Sequence, residues 1–131
     1  MNERLYAIQL AFKGKLVGKK KMKQHVVEVL DLMPQEIIDF VTENVWFVTS
    51  FEDAWAFAFT GNDFQNKHVI FLSDELFYQS PQQIHWTIAH EIGHVVLGHK
   101  NRFSEKFSKK KIQEQEDEGD TFAREYATEP S

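Results

Sequence analysis

The sequence predicts an α+β fold in which a small antiparallel sheet of three strands packs against a long helix. The middle of the chain carries three short segments of β-branched and aromatic residues joined by tight connections, which favours an antiparallel meander. The flanking segments repeat their apolar residues at helical spacing. With 42% apolar residues in a chain of 131, there is enough apolar surface to bury a core. We therefore expect one domain covering residues 1–131.

The composition excludes several classes of site and partner. The chain has no Cys, so a metal ion would have to be held by His, Asp or Glu. The formal net charge of −5 makes nucleic acid an unfavourable general partner. No apolar run approaches the roughly 20 residues that cross a membrane. The segment 5–12 also lacks the features of a signal peptide. We expect a soluble, cytoplasmic protein.

The N-terminal part is predicted to begin with a basic arm. Residues 13–23 contain six Lys, two Gly and no acidic residue, which is typical of a solvated loop. We interpret residues 1–22 as this flexible arm. A helix is then predicted over 24–32, ending before Pro34. A second helix follows over 34–44, with Pro34 at its start.

The predicted strands cover residues 45–49, 54–59 and 68–72. The first is β-branched and aromatic, and the second alternates small and large residues so that its aromatic side chains share one face. The third ends at Ser73. The sequence Gly-Asn-Asp at 61–63 predicts a turn between the second and third strands.

Two further helices are predicted in the C-terminal half. The long helix begins at Ser80, which can cap it, with Pro81 in the first turn. It runs to about Leu97, and Gly98 ends it. A basic connection over 100–111 leads to a final helix over about 112–127. The acidic first turns of this helix suit the helix dipole and need no functional explanation.

The long helix contains the pentapeptide His90-Glu91-Ile92-Gly93-His94. Two His four residues apart lie on one helical face, about 6 Å apart along the axis, and can bind one zinc ion. Glu91 lies about 100° round the helix from His90, so it suits proton transfer from a water better than metal binding. This pattern is typical of metal-assisted hydrolysis of a peptide bond.

A catalytic zinc site needs a third protein ligand. A third His does not fit, because His99 is one residue away from the required position, a rotation of about 100°. A carboxylate on the last helix fits better. Glu116 can be the ligand, and Asp120, one turn further on, can be an outer carboxylate that orients a ligating His. Composition alone does not choose Glu116 over Glu114 or Glu118.

The segments 90–99 and 116–123 together resemble the motifs of the ImmA/IrrE family of zincin-like metallopeptidases. The resemblance covers about residues 68–123, although Gly119 stands where that family usually has Ala. It implies that His90 and His94 bind zinc, that Glu91 is the general base and that Glu116 is the third ligand. It also implies limited proteolysis of helix-turn-helix repressors, often in mobile elements.

A second hypothesis is a non-catalytic regulator of the same fold that binds a repressor or another protein. The intact Glu91 favours the peptidase, because a binding module does not need a general base at this position. We interpret His68 and His85 as ordinary, partly exposed residues, and the sequence gives His25 no role.

Overall fold

The computed structural model describes residues 2–50, 56–59, 67–98 and 109–130. These residues contain five α-helices and four strands. This mixture of helices and strands is consistent with the predicted α+β class. The helices are α1 (Glu3–Ala11), α2 (Lys20–Asp31), α3 (Gln35–Asn44), α4 (Pro81–Val96) and α5 (Lys109–Tyr126). The strands are β1 (Leu16–Val17), β2 (Val45–Ser50), β3 (Ala56–Phe59) and β4 (His68–Ser73). A short 3-10 helix, Asp74–Tyr78, connects β4 to the segment before α4.

The described sheet is mixed, which corrects the predicted three-stranded antiparallel meander. Its strand order is β1-β2-β4-β3. Strand β2 pairs in parallel with β4, from Val45 opposite His68 to Ser50 opposite Ser73, and also in parallel with β1. Among the described strands, β3 and β4 form the antiparallel pair. Parallel pairing needs a connection of a dozen or more residues, and β2 and β4 are separated by 17 residues in sequence, with β3 between them.

The segment that we interpreted as a basic arm instead carries α1, β1 and the start of α2. The Asn2 side chain caps α1 by accepting a hydrogen bond from the Leu5 backbone N–H at 2.9 Å. Apolar residues that lie among the lysines are buried in the core, namely Phe12, Leu16 and Met22. The lysine content hid these apolar positions, which are what attaches this part of the chain to the core.

Helix α4 begins and ends close to the predicted positions. Ser80 Oγ accepts a hydrogen bond from the Gln83 backbone N–H at 3.1 Å, and Pro81 is the first helical residue. Gly98, just after the helix, has a φ of 71°, a conformation that favours glycine. The apolar residues of one helical face are buried in the core, namely Ile84, Ile88, Ile92 and Val95. Helix α4 packs against α2, α5 and β3.

Helix α5 lies along α4 and is attached by its C-terminal half. Phe122 and Ala123 are buried in the core, as is Gln115 nearer the start of the helix. Most other side chains of α5 are exposed or only partly buried. No helix in the described residues combines the length and the apolar character that crossing a membrane requires. Helices α4 and α5 are thus the elements that position the candidate site.

Candidate metal centre

Two glycines allow α4 and α5 to approach closely where the predicted site residues lie. A Cβ added to Gly93 would lie 2.8 Å from Phe122 Cδ1, so Gly93 makes room for the α5 side chain that enters the core. A Cβ added to Gly119 would lie 2.9 Å from His90 Nε2 and 3.1 Å from His94 Cε1. The backbone of α5 therefore passes directly over the ends of the two imidazoles.

Three of the predicted site residues converge at this contact. His90 Nε2 lies 3.3 Å from Glu116 Oε2, and His94 Nε2 lies 3.4 Å from Glu116 Oε1. The ligand atoms of all three residues lie within 4.8 Å of one another. Ligands at 2.0–2.1 Å from a tetrahedral zinc ion are separated by roughly 3.3 Å. The observed separations therefore fit a single zinc ion held between the three side chains.

The structure distinguishes between the three glutamates that the sequence left open. Glu116 faces the imidazoles and is only partly exposed, whereas Glu114 and Glu118 are exposed. The imidazole rings of His90 and His94 meet edge to face, with centroids 4.5 Å apart. The Nε2 atoms of both rings face the carboxylate of Glu116. His99, the rejected alternative, lies outside the described residues.

Asp120 lies on the same side of His90 as Glu116. Its Oδ1 is 3.1 Å from His90 Nε2, the nitrogen that also faces Glu116. A carboxylate that orients a ligating His from outside would contact the other ring nitrogen, Nδ1. Asp120 therefore lies at Nε2 of His90, where an ion would bind, and not at Nδ1. The cause is its spacing of four residues from Glu116, which puts both carboxylates on one face of α5.

Glu91 lies deeper than the other carboxylates. It is 4% exposed, and its Oε1 lies 3.7 Å from His90 Nδ1. Its Oε2 is buried and has no hydrogen-bond partner among the described residues. Buried carboxylate oxygens are normally hydrogen-bonded, so an atom of this kind is suited to accept a proton or to bind a water molecule.

The carboxylates around His90 favour a positive charge on its imidazole. Burial alone would lower the pKa of His90, but the hydrogen bonds and negative charges of Glu116 and Glu91 outweigh burial and raise this pKa to about 10. The same carboxylates would attract a divalent cation. Binding of a cation to Nε2 would displace the proton from the imidazole, as metal binding to His generally does.

A second convergence of imidazoles, not expected from the sequence, lies between α2 and α4. His25 on α2 and His85 on α4 meet beside Glu28, and their ligand atoms also lie within 4.8 Å of one another. His25 and Glu28 are three residues apart, so the sequence could place these two on one face of a helix, but it could not indicate that His85 joins them. His68 lies apart from both groups, on β4, with its ring 5.9 Å from that of Phe40.

Comparison with known proteins gives one family. A family model described as Peptidase U49 matches residues 37–130, which is more than half of the chain. The match includes both α4 and α5, and it begins after α2. It supports the peptidase assignment that the sequence motifs had suggested. Comparison with curated proteins gave no match, and comparison with solved structures also gave none.

Proposed function

The chain belongs to the Peptidase U49 family, and from this membership we propose that it is a zinc-dependent peptidase that hydrolyses a protein or peptide substrate. The observation that carries the proposal is the convergence of His90, His94 and Glu116 from two helices. Glu91 lies next to this group with a buried oxygen available. The fold around these residues would be the zincin-like one that the sequence motifs imply.

His90, His94 and Glu116 would hold the metal ion. Their separations fit tetrahedral zinc, and two imidazoles with one carboxylate are a common ligand set of catalytic zinc sites. A zinc ion in such a site lowers the pKa of a water molecule to about 7 and polarises the carbonyl of the scissile bond. Asp120, beside His90 Nε2, would add negative charge next to the ion.

Glu91 would act as the general base and then as the general acid. It would accept a proton from the attacking water as the new C–O bond forms. It would then deliver that proton to the amine nitrogen as the C–N bond breaks. Burial suits this role, because a carboxylate shielded from solvent exchanges its proton with the bound water and not with the bulk.

The substrate would bind along the sheet edge nearest α4. In the described sheet β3 is the edge strand next to β4, and β3 also packs against α4. An extended peptide that added to this edge would form backbone hydrogen bonds and lie alongside the metal-binding helix. This mode of binding would present a scissile peptide bond to Glu91 without requiring a deep pocket.

The substitution Glu91→Gln tests the proposed mechanism. The variant is expected to retain zinc and the fold but to cleave about 10²–10⁴ times more slowly, because it lacks the base. The measurement is mass spectrometry of new peptide ends after incubation with a complex peptide mixture, with and without chelator. Glu114→Gln, the same chemical change at an exposed position of α5, is the control and should cleave like the parent. Cleavage by Glu91→Gln at the parent rate would contradict the mechanism.

A narrower part of the proposal concerns the substrate. The motif resemblance supports a helix-turn-helix repressor, which would place the reaction in the cytoplasm. The test is the integrity of such repressors after mixing with the zinc-loaded chain. Cleavage that stops with chelator and with Glu91→Gln would support this substrate. Binding that leaves the repressor intact would favour the alternative, a non-catalytic regulator.

A further inference from the structure

A second group of metal-binding side chains joins α2 to α4. His25 Nδ1 lies 3.1 Å from His85 Nε2, and His85 Nε2 lies 3.3 Å from Glu28 Oε2. His25 Nδ1 lies 3.9 Å from the same carboxylate oxygen. The first two separations are close to the roughly 3.3 Å expected between ligands of one tetrahedral zinc ion, and the third is longer by about 0.6 Å. From this geometry we propose that His25, Glu28 and His85 form a second zinc site.

Hydrogen bonding alone satisfies this group poorly. A neutral imidazole carries one N–H proton, and His85 Nε2 faces both a nitrogen of His25 and an oxygen of Glu28. If that nitrogen is protonated, its single proton is shared between two acceptors. If it is not, its lone pair faces the carboxylate of Glu28. A cation between the three atoms would accept a lone pair from each of them.

Neighbouring residues hold two of the three ligands in place. Glu28 Oε1 accepts a hydrogen bond from Gln24 Nε2 at 3.0 Å, so the other oxygen, Oε2, is left to face the imidazoles. The His25 ring stacks on Phe77, with ring centroids 6.1 Å apart and planes 23° apart. Partners that orient a metal ligand in this way generally strengthen metal binding.

The surroundings of His25 lower its pKa and leave the group accessible to solvent. Burial lowers the pKa of His25, and the nearby His85 and Lys21 add to this effect, while Glu28 opposes it. This direction favours the neutral imidazole, which is the form that binds a metal ion. The three side chains are between 14% and 30% exposed, which leaves them accessible to an ion from solvent.

The second site would fix α4 in place. His85 lies five residues before His90, a rise of about 7.5 Å and a rotation of roughly 140° on the same helix. An ion held by His25, Glu28 and His85 would thus connect α4 to α2 on a different face from the one that meets α5. With three protein ligands, a water molecule would be the fourth ligand.

Zinc titration calorimetry on the chelator-stripped full chain tests this site. The parent is expected to bind about two zinc ions per chain, whereas Glu28→Gln and His85→Asn should each bind about one. His68→Asn removes a His outside both groups and should bind as the parent does. Glu28→Gln changes a partly exposed side chain to its isostere, so it keeps the test valid if His85→Asn does not fold. Circular dichroism checks the fold of each variant.

Glu116→Ala separates this inference from the proposed function. Loss of one ion in Glu28→Gln and of the other in Glu116→Ala supports both sites. A single ion that is lost in Glu28→Gln but not in Glu116→Ala supports the second site and contradicts the proposed function. Unchanged zinc binding in both Glu28→Gln and His85→Asn would overturn the inference.

Discussion

At the scale of single residues, Gly119 controls how closely α5 approaches the imidazoles. A Cβ at this position would lie 2.9 Å from His90 Nε2, so Gly119→Ala should displace the imidazole from Glu116. Ala is otherwise favoured over Gly inside a helix by about 1 kcal/mol. We therefore expect Gly119→Ala to lower zinc affinity at least about tenfold, as loss of ligand alignment generally does, without destabilising the metal-free chain. Calorimetry with zinc and thermal unfolding in chelator measure the two effects.

Thr121→Ala is the control for Gly119→Ala. Thr121 is exposed on the same helix, so its replacement changes helix propensity without adding an atom near the imidazoles. Zinc affinity should match that of the parent. If Gly119→Ala binds zinc as tightly as Thr121→Ala does, the close approach at Gly119 has no role in holding the ligands.

The sequence predicts some of the site residues and not others, for a physical reason. His90 and His94 are four residues apart on one helix, so local geometry alone places them together. Glu116 comes from another helix, and spacing could not distinguish it from Glu114 or Glu118. His25 and His85 are 60 residues apart, and only the packing of α2 on α4 brings them into contact.

At the scale of elements, the contact between Gly93 and Phe122 determines the separation of α4 and α5. A Cβ at Gly93 would lie 2.8 Å from Phe122 Cδ1 and 3.1 Å from Phe122 Cβ, so rotation of the ring alone cannot relieve the contact. Gly93→Ala should move α5 outward and destabilise the chain by about 1–3 kcal/mol, the usual cost of overpacking. Because α5 carries Glu116, zinc affinity should fall as well. Urea unfolding and zinc calorimetry provide the measurements.

A double-mutant cycle with Phe122→Ala tests the cause of this effect. Phe122→Ala removes the two ring atoms nearest to Gly93, so the penalty of Gly93→Ala should be smaller in that background. An equal penalty in both backgrounds would show that Gly93→Ala acts through another contact.

The elements were predicted more reliably than their arrangement. The limits of α4 follow from Ser80, Pro81 and Gly98, which act locally. Strand order is not local, because a strand of given composition can pair in either direction. Helix α1 was missed because its apolar residues lie on different sides, with Ile8 buried but Tyr6 and Leu10 exposed.

At the scale of the whole molecule, α4 connects the parts of the fold. It packs against α2, α5 and β3, and it carries residues of both candidate metal groups. Zinc bound on either face of α4 would therefore stabilise contacts between separate elements and not only the local helix. Stability of the whole chain should then depend on metal, since a ligand that binds the folded state alone stabilises it.

Chelation is expected to lower the thermal midpoint of the parent by on the order of 10 °C for each ion lost, because an ion at about a hundred times its dissociation constant adds about 2.7 kcal/mol. Glu91→Gln should show the same zinc-dependent shift, since Glu91 would not bind the ion. Glu116→Ala should show a smaller shift, and the double variant Glu28→Gln, Glu116→Ala should show almost none. Differential scanning calorimetry with zinc and with chelator measures these shifts. A full zinc-dependent shift in the double variant would mean that zinc stabilises the fold through residues other than these two groups.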